Sequence, residues 1–157
     1  MPTHSEELEG FRKALEEHIK PVAEKFGLSF TKVGVTLYAV VAPSFSFKFY
    51  CMGGHGCSFT VTVAPTFRPF WNEPDERGFP WLAKYVGRHT WEHSRHADLQ
   101  GLAQDLAVLA AILPEYIGLL GMATPSYWEG FHSFVAAEIA RRPTPEWMKR
   151  YDETNAT

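Results

Sequence analysis

The chain predicts an α+β fold: an N-terminal helix, a four-stranded antiparallel sheet, then a short helix and two longer C-terminal helices packed on the sheet. Three observations predict it. Apolar residues recur at steps of three and four up to Phe26, alternate singly from Leu28 to Val63, and return to steps of three and four after Asp98. A run of strands followed by a run of helices belongs to α+β rather than to a parallel α/β arrangement.

Each element has its own justification. Thr3 and Glu6 stand at capping-box spacing before the first helix. Leu8, Phe11, Leu15, Ile19, Val22 and Phe26 form its stripe, Pro21 is a point of bending, and Gly27 is the stop. Leu28 opens a strand in which Val33, Val35, Leu37 and Ala39 are expected on one face, and Pro43 breaks the run. Phe45, Phe47, Phe49 and Cys51 then alternate with polar residues, as do Cys57, Phe59, Val61 and Val63, the pattern of a sheet with one wet face. Matching apolar faces puts Cys51 opposite Cys57 and Phe49 opposite Phe59. It demands an odd-membered loop with a glycine at positive φ.

After Pro65 the chain runs through APTFRPFWNEPDERGFPW, which has neither period and predicts a long ordered loop. WLAKYV is a short helix ended by Gly87. Asp98 caps a second long helix with Leu99, Leu102, Leu106, Leu109 and Leu113 on its stripe, and Pro114 is expected to kink or break it before Gly121. Thr124 and Pro125 start the last helix, with Phe131, Phe134, Val135 and Ile139 inward. Residues 1–143 make a single domain and 144–157 a C-terminal tail.

Bulk properties narrow the classes of function. With 157 residues, 45% hydrophobic and 21% charged, the chain supports one cored domain. A net charge of −3 without a basic cluster argues against nucleic acid. The longest unbroken apolar run, Leu106 to Leu113, is shorter than the roughly 20 residues of a membrane span, and the polar N-terminus does not read as a signal peptide. No membrane partner and a cytoplasmic location are therefore expected. Two cysteines make no disulfide framework.

Four groups of residues carry potential chemistry. Cys51, His55 and Cys57 offer three zinc-type ligands, but a fourth is missing nearby and both thiols fall on the Phe-lined face, so a plain turn is favoured over a metal or redox site. His89, His93 and His96 would share one face of a helix, near Glu92 and Asp98; flanked by helix-boundary residues, they read instead as a solvated connector. Asp75 and Glu76 form a carboxylate pair expected to be solvated in a loop. The aromatic loop holds residue types enriched at protein interfaces, and its alternative is to wrap the domain and bury its own rings. The candidate partner-binding set is Arg68, Phe70, Trp71, Asp75, Glu76 and Arg77. No catalytic residues, no metal ligands and no cofactor are assigned.

The chain also resembles a group of small bacterial α+β proteins of unknown function, some of which are immunity proteins of polymorphic toxins. The resemblance runs from about Leu8 to Ile139 and rests on KFGLSF, WLAKYVG and the LLG that precedes YWEGF. With no convincing catalytic set, a mildly acidic charge and the aromatic loop, the leading expectation is a non-enzymatic binding protein, monomeric or homodimeric, of the immunity or antitoxin type that neutralises a partner toxin; a mildly acidic inhibitor suits a basic toxin. The alternatives are a zinc-binding protein or metalloenzyme using the histidine clusters, and an adaptor or chaperone of a secreted effector.

Overall fold

The computed structural model describes residues 3–52, 57–66, 75–87 and 98–143. The α+β class holds. Helix α1 (His4–Ala14) begins with the expected capping box, in which Thr3 accepts from the Glu6 amide and the Glu6 carboxylate reaches back to the Thr3 amide. A π-helical turn follows at Leu15–Ile19, then α2 (Lys20–Lys25). Pro21 explains this turn: it has no N–H to donate and its ring crowds the preceding turn, and the wider turn relieves both. Phe11, Ala14, Leu15, Ile19 and Ala23 are buried, whereas Phe26, expected on the stripe, is 40% exposed. Gly27, at φ 69°, turns the chain out of α2.

The sheet has five strands rather than four, in the order β1-β2-β3-β4-β5, every neighbouring pair antiparallel. The strands are β1 (Ser29–Gly34), β2 (Leu37–Val41), β3 (Phe45–Cys51), β4 (Phe59–Pro65) and the two-residue β5 (Arg77–Gly78). The stretch expected to carry Val33, Val35, Leu37 and Ala39 on one face is itself a hairpin, turning after Gly34 with an irregularity between Lys32 and Gly34. That turn and bulge shift the parity. Tyr38 and Val40 join the core cluster, while Val33 is 41% and Val35 71% exposed.

The β3–β4 pairing also differs from expectation: Cys51 faces Phe59, Phe49 faces Val61 and Phe47 faces Val63. This is a two-residue slip. Side chains alternate with period two, so such a slip leaves every residue on its expected face, and hydrophobic matching cannot tell the two registers apart. The Met52 amide donates to the Ser58 carbonyl at 3.0 Å beyond the ladder. His55 and the glycines of the connection lie outside the described residues.

Helix α3 (Phe79–Val86) follows β5 directly and ends at Gly87, φ 73°. Helix α4 (Leu99–Gly121) is capped by Asp98, which accepts from the Gly101 amide at 2.9 Å. Pro114 neither breaks nor ends it. The buried side chains on both sides of the proline, Leu109 and Leu113 before it and Tyr116 and Leu120 after it, hold the helix by packing. By length and composition α4 is apolar enough to cross a membrane; here its leucine face packs on α1 and the π-helical turn.

Helix α5 (Pro125–Ala140) lies against α3. Trp128, Phe131 and Val135 are buried, Phe134 is half-buried, and Ile139, expected inward, is 53% exposed because α5 runs on past its last core contact at Val135. Aromatic contacts knit the layers: Phe11 meets Phe59 at 6.0 Å between centroids, Phe47 meets Phe79 at 6.1 Å, and Phe79 meets Tyr116 at 4.9 Å.

Candidate functional site

Two places on the sheet concentrate polar or exposed residues that packing alone does not require. The first is its outer face. Lys48 lies at the middle of β3, between Ala39 of β2 and Thr62 of β4, and Thr62 in turn faces Gly78 of β5. Small neighbours leave room above the lysine, and Glu76, just before β5, fills it. Its carboxylate pairs with the Lys48 ammonium and accepts from the Tyr50 hydroxyl at 3.1 Å and the Thr62 hydroxyl at 3.3 Å. The Arg77 guanidinium donates to the Glu76 carbonyl at 2.7 Å. The Lys48 side chain is 4% exposed and that of Glu76 10%.

This corrects two expectations. Asp75 and Glu76 are not solvated loop carboxylates: Asp75 is buried and Glu76 is engaged with the sheet. Nor is the outer face of the sheet uniformly wet, since Ser46, Lys48, Ala39 and Ala64 are all buried there. Chemically the cluster is a clasp. Its carboxylate accepts from an ammonium and two hydroxyls at once, which ties the start of β5 to the middle of the sheet.

Arg77 sits half-buried in β5, and Arg68, Phe70 and Trp71 lie outside the described residues. Trp81, at the end of the same stretch, is half-buried in α3 with the Arg142 guanidinium 4.7 Å from its ring centroid. Sequence reasoning missed Lys48, Tyr50 and Thr62 as a set. The one signal was a lysine at the centre of a Phe-rich strand, a charge that needs a partner if the outer face is covered.

The cysteines are free thiols, Cys57 buried and Cys51 half-buried. Burial pushes the Cys51 thiol up to about 11, with smaller contributions from the charges of Glu7 and Cys57, and burial also raises Cys57. Neutral thiols behave as small hydrophobes, and a thiolate is what a metal needs. Among the described residues no three His, Cys, Asp or Glu side chains gather to hold a metal. His55, His89, His93 and His96 lie outside the described residues, as does Glu92.

The second place is the β1 side of the sheet. Gly27 turns the chain after α2, and the Leu28 amide donates to the Ala23 carbonyl at 2.8 Å, which delivers the chain into β1 at the edge. Of its residues only Phe30 is half-buried, stacked on Tyr38 at 5.9 Å; the others are exposed. A groove of about 250 Å³ separates the β1–β2 hairpin from α1, with Leu8 and Arg12 on one wall and Lys32, Val35 and Tyr38 on the other. Arg12 is bound by Glu9 and by Glu16, the latter at 2.8 Å. The Lys32 side chain makes no hydrogen bond or ion pair among the described residues, although its charge is felt by Glu9 across the groove.

Comparison of the chain with protein-family models, with curated proteins and with solved structures finds no match.

Proposed function

We propose that this chain is a protein-binding module of the immunity type, which docks on a partner enzyme, a toxin, and blocks it. One observation carries the binding reading. The sheet ends in a six-residue edge strand that is exposed along its length apart from half-buried Phe30, that displays Val33, and that runs into a turn displaying Val35. Exposed edges are templates for another chain, and neighbouring exposed apolar side chains mark contact surfaces. The resemblance noted above and the net charge of −3 support a basic toxin as the partner.

The test begins with the complex isolated from the protein's own cells, its partner identified by native mass spectrometry and assayed for enzymatic activity. Val33→Asp with Val35→Asp is expected to weaken inhibition at least tenfold. Ile139→Asp, which alters an exposed apolar residue on α5, leaves it unchanged. Arg68→Ala with Trp71→Ala probes the competing surface on the aromatic loop. A partner lost only with the loop variant moves the interface there. A partner whose stability, but not activity, depends on the chain makes the protein a chaperone.

A further inference from the structure

We infer that β1 takes up an extended segment of the partner as an additional strand, with one carboxylate of that otherwise basic partner set opposite Lys32. The inference deepens the protein-binding reading and rests on it.

The backbone of β1 supplies the first reason. The strand pairs with β2 alone. Among the described residues, no backbone hydrogen bond outside that ladder reaches residues 29–34. On the side away from β2, alternate amides and carbonyls therefore point outward at strand spacing. Only another extended backbone offers acceptors and donors in that repeat. The opposite edge of the sheet does not compare: β5 is two residues long, is anchored beside Glu76, and runs straight into α3.

Charge selects the occupant. Lys32 faces Tyr38 across the ladder, and Phe30 faces Val40, so Lys32 and Phe30 share the helix-facing side of the sheet. A second copy of β1, added about a two-fold axis normal to the sheet, must pair residues of the same side. Its two fullest registers set Lys32 against Lys32, a like-charge clash, or against Phe30, a cation on an aromatic ring that attracts more weakly than a carboxylate does. A strand from another protein has no such constraint. A carboxylate opposite Lys32 gives an opposite-charge cross-strand pair, and an apolar residue two positions away packs on Phe30. The groove between α1 and the hairpin opens on this same side, bounded by Leu8, Tyr38 and the Glu9–Arg12 pair, and accepts an apolar side chain next to the carboxylate. The irregularity between Lys32 and Gly34 confines regular pairing to Ser29–Lys32, which discourages indiscriminate sheet growth.

The experiment uses the full chain and three synthetic peptides: an alternating threonine–valine peptide with one central glutamate, its lysine counterpart, and the glutamate peptide N-methylated at alternate residues. Amide chemical shifts and hydrogen exchange are read at millimolar peptide. The glutamate peptide is expected to shift and protect amides of residues 29–32. The lysine peptide binds about fivefold more weakly. Lys32→Glu reverses that order, which a merely destabilised fold does not do, and the methylated peptide does not bind. The inference is overturned if no peptide perturbs β1, if the order survives Lys32→Glu, if methylation has no effect, or if β1 instead pairs with a second copy. If the natural partner still depends on Val33 and Val35 while these results fail, strand addition is wrong and protein binding stands. If the partner is indifferent to the valines and to the loop variant as well, both readings fall.

Discussion

Glu76 reaches over the outer face of the sheet to pair with Lys48, and the Tyr50 and Thr62 hydroxyls complete its coordination. The contact spans 28 residues of sequence and fastens the start of β5 to the centre of β3. Breaking one side of a buried pair leaves an uncompensated charge, whereas replacing both sides by apolar groups does not.

Glu76→Ala is therefore expected to lower stability by about 3 kcal/mol, and Lys48→Met with Glu76→Leu by clearly less. Urea unfolding followed by tryptophan fluorescence measures both. A single variant as stable as the parent would show that the clasp contributes nothing.

The raised Cys51 thiol has a signed consequence. The folded state keeps the proton up to about 11, whereas the unfolded thiol gives it up near its ordinary value of about 9. Below the unfolded value both states are protonated and nothing is lost. Between the two values only the unfolded state ionises, so stability falls as pH rises through that window. Cys51→Ser is expected to flatten this decline in a pH series of unfolding midpoints. Thiol alkylation at neutral pH is correspondingly slow until denaturant is added.

Two glycines serve opposite predictions. Gly87 ends α3 at φ 73°, a conformation that costs a side chain about 1 kcal/mol, so Gly87→Ala destabilises by that order. Gly118 lies inside α4 with open space where a Cβ would stand, so Gly118→Ala stabilises by roughly 0.5–1 kcal/mol. Thermal unfolding of the two variants should move in opposite directions.

Helix α5 offers a paired test of burial. Phe131 is fully buried and touches Tyr85 and Trp128, so Phe131→Ala costs about 3–5 kcal/mol. Ile139 is half exposed beyond the last core contact, and Ile139→Ala changes stability by less than about 0.5 kcal/mol. Comparable losses in both would mean that α5 packs in another rotation.

Local physics, read along the chain, accounts for much of this protein. Thr3 with Glu6, Asp98 and Thr124 mark their helix starts because a cap is satisfied by the amides next to it. Gly27 and Gly87 mark stops because no other residue sits easily at positive φ. The Phe faces of β3 and β4 follow from alternation alone. Other features depend on residues far away in sequence. The register of β3 on β4 differs from the expected one by two residues, a change invisible to any face-matching rule. Pro114 stays within α4 because buried leucines and Tyr116 around it hold the helix. Val33 and Val35 look like core residues but turn outward, since the chain doubles back at Thr36 and pairs Lys32 with Tyr38. Glu76 looks like a loop charge but is drawn inward by a lysine 28 positions earlier. Caps, stops and faces are properties of a few adjacent residues, and so the element types and the α+β class are legible along the chain. Which edge stays open and which charges meet are properties of distant segments, and they emerge when folding brings those segments together.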